Sequence, residues 1–167
     1  MGFPHFPQSF PHNRFAKAFF HIDKGGVKMF LGEYAHALDS KKRIFIPAKY
    51  REDLGETFVI TKSVDKCLKV YTMEEWLKLK EKLDSMPDTK ARKIRRFVFA
   101  KANEVKCDSQ GRVLISSALR EYAGIDKNAV VIGAGSYLEI WAEEEWEKIC
   151  GEEDTADIEQ LMEELDF

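Results

Sequence analysis

Cysteine and histidine are scarce in this chain of 167 residues. The three cysteines are far apart and form no Cys-x-x-C pair, which argues against a disulfide framework and against a thiolate metal site. Of the four histidines, only His36 lies beyond residue 28. The sequence therefore predicts neither a metal site nor a cofactor.

Long apolar runs are also missing, since none approaches the roughly 20 residues that a membrane-spanning helix needs. The start of the chain shows no basic segment followed by an apolar stretch and a small-residue cleavage site. With 44% apolar and 33% charged residues, the composition is typical of a folded globular protein. We expect a cytoplasmic protein without a membrane partner.

Catalytic signatures are absent as well. No G-x-S-x-G elbow occurs, and a nucleophile would also need an oriented base, for which few histidines are available. The segment "GAGS" (Gly133 to Ser136) lies between two strand-like runs and predicts a hairpin turn rather than a phosphate loop. Glu74 and Glu75 stand at a helix start, where they favour the helix dipole. We expect no enzymatic activity.

Charge is present but segregated along the chain. Residues 143–167 contain 12 acidic residues and one lysine, so residues 1–142 keep 17 of the 29 acidic and 25 of the 26 basic residues. The first part carries +8 and the last part −11, although the whole chain carries only −3. Such segregation indicates a basic surface for a polyanion, or an acidic tail that only improves solubility.

An internal repeat dominates the rest of the sequence. "DSKKRIFIPAKYREDLG" (39–55) aligns without gaps to "DSQGRVLISSALREYAG" (108–124), and "CLKVYTMEEW" (67–76) aligns to "YLEIWAEEEW" (137–146). We predict an N-terminal extension at 1–28, repeats at 32–83 and 103–150, a basic helical linker at 84–102, and an acidic helix at 151–167. The extension is interpreted as disordered or as a mis-assigned start before Met29, and alternatively as a partner-binding arm.

Each repeat has the pattern of two short strands across a tight turn, a short helix, two further strands and a closing helix. One repeat alone is too small to bury much core, and its strands leave open edges. We therefore predict an α+β fold in which two βαββ-type halves interleave around a pseudo-twofold axis. The basic residues at 90–96 are interpreted as a solvated helix face, with nonspecific DNA attraction as the alternative.

Both repeats contain Asp-x-x-x-Arg, as Asp39 to Arg43 and Asp108 to Arg112. An aspartate opening a turn can accept main-chain N–H bonds and fix the arginine that follows. A fixed guanidinium suits phosphate or the O6/N7 edge of guanine. The alternative is that each arginine only bridges to its own aspartate, an exposed pair worth about 0–1 kcal/mol.

The two turns differ at the residue before the arginine, which is Lys42 in one and Gly111 in the other. If the turn requires a positive φ, a lysine there costs about 1 kcal/mol. We predict DNA contacts by Arg43 and Arg112, with Lys41 and Lys42 assisting through phosphate.

The stretches "MFLGEYAHALDSKKRIFIPAKYREDLG", "CLKVYTMEEW" and "CDSQGRVLISSALREYAGIDKNAVVIG" resemble the MraZ family, bacterial regulators associated with the division and cell-wall gene cluster. The resemblance implies swapped-hairpin halves of the AbrB type, ring-shaped homo-oligomers, association with the nucleoid, and binding of short direct DNA repeats upstream of the family's own operon. Its DNA-contacting arginines match Arg43 and Arg112. The family usually has glycine where Lys42 stands, and the Ser116-Ser117 pair replaces the Pro-Ala of the first repeat.

Two function classes follow from these observations. The first is a transcriptional regulator that binds double-stranded promoter repeats. The second is a ring-forming interaction module that organises division proteins, and absence of binding to random duplex DNA even at low salt would favour it.

Overall fold

The computed structural model describes residues 28–152 and 154–165. The predicted extension, apart from its last residue, lies outside the described residues. Every helix in the described part is too short or too polar to cross a bilayer.

The order of elements in the described residues repeats once along the chain, as the sequence predicts, and confirms the α+β class. The elements are β1 (Phe30–Ala37), β2 (Arg43–Phe45), α1 (Ala48–Leu54), β3 (Phe58–Lys62), β4 (Leu68–Thr72), α2 (Met73–Asp84), α3 (Asp88–Phe99), β5 (Asn103–Val105), β6 (Arg112–Leu114), α4 (Ser117–Ala123), β7 (Asn128–Gly135), β8 (Tyr137–Ala142), α5 (Glu143–Glu152) and α6 (Thr155–Glu163).

The two halves exchange strands. A six-stranded antiparallel sheet has the order β1-β7-β8-β4-β3-β5, and β2 pairs with β6 in a separate ribbon. Strand β1 of the first half therefore pairs with β7 of the second, and β5 of the second half pairs with β3 of the first. Neither half forms a complete sheet alone, which is the interleaving that the small size of each repeat predicts.

The register of the strands places the pseudo-twofold axis. Lys69 lies opposite Glu139 in the large sheet, and Ile44 lies opposite Val113 in the ribbon. Residues in these pairs are 70 and 69 positions apart, the same offsets that align the two repeats. Each of these four residues thus faces its own counterpart, and the axis passes through the centre of both the sheet and the ribbon.

The ribbon separates the hydrophobic core from the outer surface because its side chains alternate. Ile44 and Val113 are at most 1% exposed and belong to the shared core, whereas their neighbours Arg43 and Arg112 point outward. Apolar residues from both halves fill this core, so the ribbon holds its outward residues on a rigid base.

The helices that follow the strands are buried to different extents in the two halves. In the first half, α2 begins at the cap Thr72, and its Leu83 is buried. Helix α3 packs on β3 through the buried Ala91, and its basic residues Lys90, Arg92, Lys93 and Arg96 are exposed. In the second half, every described residue of α6 is exposed, and its apolar residues Ile158, Leu161 and Met162 cover no groove formed by the described residues.

The predicted hairpin after β7 lies slightly later than the sequence suggests. Strand β7 continues through Gly135, because Gly133 and Ala134 pair with Gly32 and Leu31 of β1. A Cβ atom at Gly133 would lie 2.3 Å from the main-chain nitrogen of Leu31. The glycine therefore permits close approach of β1.

Candidate nucleic-acid interface

The turn from Asp39 to Arg43 is organised by the aspartate carboxylate. Its Oδ1 accepts hydrogen bonds from the main-chain N–H groups of Lys41 and Arg43, each at 2.9 Å. The main chain closes the same turn, since the N–H of Lys42 donates to the Asp39 carbonyl at 2.9 Å. The arginine is thus placed at the first residue of β2.

The turn from Asp108 to Arg112 has the same construction. Oδ1 of Asp108 accepts from the N–H groups of Gln110 and Arg112 at 2.9 Å each, and the N–H of Gly111 donates to the Asp108 carbonyl at 2.9 Å. Because β2 and β6 pair antiparallel around the axis, the two turns are related by the pseudo-twofold.

Both turns need a left-handed residue before the arginine. Lys42 has φ 59° and Gly111 has φ 78°. Glycine adopts this conformation freely, whereas a side chain costs about 1–2 kcal/mol. The carbonyl groups of these residues then accept N–H bonds from Ile115 and Ile46 of the opposite half, at 3.4 Å and 2.9 Å.

The two arginines and two aspartates form one ionic cluster across the axis. Nε of Arg43 lies 2.8 Å from Oδ2 of Asp39, and its Nη1 lies 3.3 Å from Oδ2 of Asp108. Arg112 repeats this arrangement, with Nε 3.0 Å from Asp108 and Nη1 3.4 Å from Asp39. The bridging that the sequence left open as an alternative is therefore present, and each carboxylate binds both guanidinium groups.

The cluster is charged at neutral pH and only partly covered. The pKa of Asp39 is lowered chiefly by the main-chain N–H of Arg43, and that of Asp108 by the main-chain N–H of Arg112. The four side chains are between 25% and 29% exposed. Within the described part of the chain, Nη2 of neither arginine has a hydrogen-bond acceptor, so both retain donors for a ligand.

The two lysines of the first turn have different surroundings. Lys41 is exposed, and no ion pair among the described residues includes it. Nζ of Lys42 lies 2.9 Å from Oδ1 of Asp126 and 3.0 Å from its carbonyl oxygen. The pKa of Asp126 is lowered, first of all by this hydrogen bond. Lys42 is thus tied to the loop between α4 and β7.

A further cation, Arg51 of α1, lies beside the second turn, a position that is not evident from the sequence. Its guanidinium occupies the space next to Gly111 and lies 5.4 Å from the centre of the Phe45 ring. The only signal in the sequence is the Arg-Glu pair that recurs in both repeats, as Arg51 and Arg120.

The described part of the chain contains no group of three or more histidine, cysteine, aspartate or glutamate residues arranged to hold a metal. Burial raises the pKa of the Cys67 thiol to about 12, so this cysteine is protonated and unreactive at neutral pH.

Comparison with known proteins agrees with the resemblance in the sequence. The family model described as "MraZ protein, putative antitoxin-like" matches twice, at residues 29–97 and 98–166. A protein of Heliobacterium modesticaldum named "Transcriptional regulator MraZ" is 52% identical over 122 residues, which cover 72% of this chain and 85% of the relative. A protein of Clostridium tetani with the same name is 49% identical over 139 residues, covering 82% of this chain and 96% of the relative.

Proposed function

Because this chain belongs to the MraZ family, whose relatives are named as transcriptional regulators and not as enzymes, we propose that it regulates transcription by sequence-specific binding of double-stranded DNA. One observation carries the proposal. Two arginines related by the pseudo-twofold axis are fixed side by side on the outward face of the ribbon by carboxylates that they share.

The shared carboxylates prepare the arginines for binding. Each aspartate accepts hydrogen bonds from the Nε of one arginine and the Nη1 of the other, and among the described residues the Nη2 groups have no acceptor. A guanidinium held in this way loses less side-chain entropy when it contacts a base or a phosphate. The cluster itself is neutral in sum, so attraction to DNA at a distance must come from surrounding cations.

Lys41 is well placed for this role because it is exposed at the tip of the first turn. Lys42 would have to leave Asp126 before it could contact phosphate. That pair is exposed, at 36% and 75% of the two side chains, so its loss costs about 0–1 kcal/mol. We assign a phosphate contact to Lys41 and a smaller one to Lys42.

We further propose how the subunits assemble and which DNA they bind. The exchanged strands are hairpins of the AbrB-like type, in repeats bounded at 32–83 and 103–150, with a linker at 84–102 and an acidic segment at 151–167 that contains α6. Subunits form a ring-shaped homo-oligomer in the nucleoid and bind short direct repeats in the promoter of the protein's own division and cell-wall gene cluster. Weak contacts at single repeats then combine through high effective concentration.

A gel shift with the DNA just upstream of the gene tests this function. Replacing both Arg43 and Arg112 with alanine should abolish retention of the fragment while circular dichroism and native mass stay unchanged. Arg92→Ala with Arg96→Ala is the matched control, because these two arginines are exposed on α3. Equal retention of the folded double variant of the turns and of the wild type would contradict the proposal.

The interaction module is the second candidate, and the exposed apolar stripe of α6 favours it. Ile158, Leu161 and Met162 are between 45% and 55% exposed. A salt titration of binding to random duplex DNA separates the two candidates. Binding that weakens steeply with salt supports the regulator, and no binding even at low salt supports the interaction module.

A further inference from the structure

The second turn holds a neighbouring arginine in the space that its glycine leaves open. Gly111 is buried, and a Cβ atom there would lie 2.5 Å from Nη1 and 2.7 Å from Cζ of Arg51. Any side chain at position 111 would therefore displace this guanidinium. Arg51 comes from α1 of the first half, so the contact exists only because the halves are interleaved.

The first turn does not hold the corresponding arginine. Lys42 stands where the second turn has glycine, so a side chain is present at the position that Gly111 leaves without one. Arg120, which aligns with Arg51, donates its Nε to the carbonyl of Ile115 at 3.2 Å instead. The pseudo-twofold symmetry of the site is thus broken at one pair of positions.

Arg51 lacks the partners that the other arginines of this region have. In the described part of the chain, no carboxylate forms an ion pair with it, and its buried Nε has no hydrogen-bond acceptor. Besides the turn, the guanidinium lies near the face of the Phe45 ring and near the thiol of Cys107. An arginine with unused donors beside an ionic turn is a site at which an anion gains hydrogen bonds without displacing a carboxylate.

Arg51 provides a cation at the second turn, whose tip has none. The first turn carries Lys41 at its tip, whereas the second turn has the uncharged Gln110 at the aligned position. The half-buried Arg51 places a positive charge next to Gly111 that is additional to Arg112, whose guanidinium is already bound to the two aspartates. A cation outside the ionic cluster therefore lies at each turn: Lys41, with Lys42, at the first turn, and Arg51 of α1 at the second.

We propose that Arg51 binds a backbone phosphate of the DNA beside the turn at 108–112, and that Arg120 makes no such contact at the other turn. This inference rests on the proposed DNA binding. It assigns to the protein a phosphate contact that the symmetry of the repeats does not indicate.

The test measures affinity for a fluorescent fragment of the upstream DNA at several salt concentrations. Arg51→Gln should weaken binding several-fold and reduce the slope of log K against log salt by about 0.9, the value for one phosphate contact on B-DNA. Arg120→Gln is the matched control and should leave the slope unchanged. A purely structural role of Arg51 would change the melting temperature but not the slope.

Two further variants keep the test decisive if Arg51→Gln does not fold. Gly111→Ala should displace the guanidinium and reduce the slope in the same way, whereas Arg51→Lys keeps the charge and should keep most of the slope. Wild-type slopes in Gly111→Ala or Arg51→Gln would overturn the inference and leave the proposed function standing. An equal loss of slope in Arg120→Gln would also overturn it. Absence of wild-type binding at low salt would refute the proposed function itself, and this inference with it.

Discussion

The left-handed conformation of Lys42 gives a quantitative prediction about stability. A non-glycine residue in the left-handed region destabilises the folded state by about 1–2 kcal/mol. Glycine avoids this cost, but folding orders a more flexible unfolded chain, which takes back about 0.5–1 kcal/mol. Lys42→Gly also loses the exposed pair with Asp126, worth about 0–1 kcal/mol. Its net effect is therefore small, and a matched variant is needed to isolate the backbone term.

Lys42→Ala is that variant, because it loses the same ion pair but keeps a Cβ at φ 59°. The glycine variant should be more stable than the alanine variant by about 1 kcal/mol, or about 2–4 °C in melting temperature. Urea and thermal unfolding at one fixed protein concentration measure the difference, since any oligomer makes stability depend on concentration.

An alanine variant as stable as the glycine variant, or more stable, would refute the reasoning. It would show that the turn relaxes away from positive φ when Lys42 is replaced. The pairing of the two turns through Ile115 and Ile46 would then need another explanation.

Three other perturbations have definite outcomes. Gly133→Ala places a Cβ against the main chain of β1 and should cost about 1–3 kcal/mol in urea unfolding, whereas Gly151→Ala, with no neighbour within 4 Å, should cost nothing. Thr72→Ala removes the cap of α2, a hydrogen bond of 3.1 Å, and should cost about 1 kcal/mol, most of which Thr72→Ser should restore. The pKa of Asp39 is lowered, chiefly by the N–H of Arg43, so its stabilisation is present above the unfolded pKa of about 3.9 and is lost as pH falls through the folded pKa. The melting temperature of Asp39→Asn should therefore lie below that of the wild type at pH 7, and the gap should close in acid; a constant gap would contradict this assignment.

Much of the fold follows from the repeat. Two aligned units that are each too small for a core must share one, and strands with open edges must pair across the halves. The structure has this exchange in β1 with β7 and in β3 with β5. Helix α6 differs, because amphipathic periodicity predicts a helix but not what covers its apolar face.

The candidate site was predictable only within each turn. Asp-x-x-x-Arg indicates a turn capped by its own aspartate, and this short-range arrangement is what the structure contains. Each carboxylate also binds the arginine of the other half. This second contact depends on the pairing of Ile44 with Val113 in the ribbon. Lys42 with Asp126 could not be predicted, because a pair separated by 84 residues leaves no periodic signal.

The contact of Arg51 with Gly111 could not be predicted either, because it also joins residues that are distant in the sequence. It requires α1 of one half to lie against the turn of the other, and it requires a residue without a side chain at that point. Sequence alignment treats Arg51 and Arg120 as equivalent, whereas the structure gives them different surroundings. The difference between Gly111 and Lys42 at aligned positions therefore separates the surroundings of Arg51 from those of Arg120.

The proposed reading of base sequence by Arg43 and Arg112 depends on their planar guanidinium forks. It is tested most directly by the affinity of the double variant Arg43→Lys with Arg112→Lys for the upstream fragment and for random DNA of equal length, measured at the same salt concentration. Charge is kept in this variant while the fork is lost, and a good bidentate base contact gives about 1–3 kcal/mol of discrimination. We expect binding to random DNA to persist and the preference for the upstream fragment to fall by at least tenfold. An unchanged preference would contradict the claim.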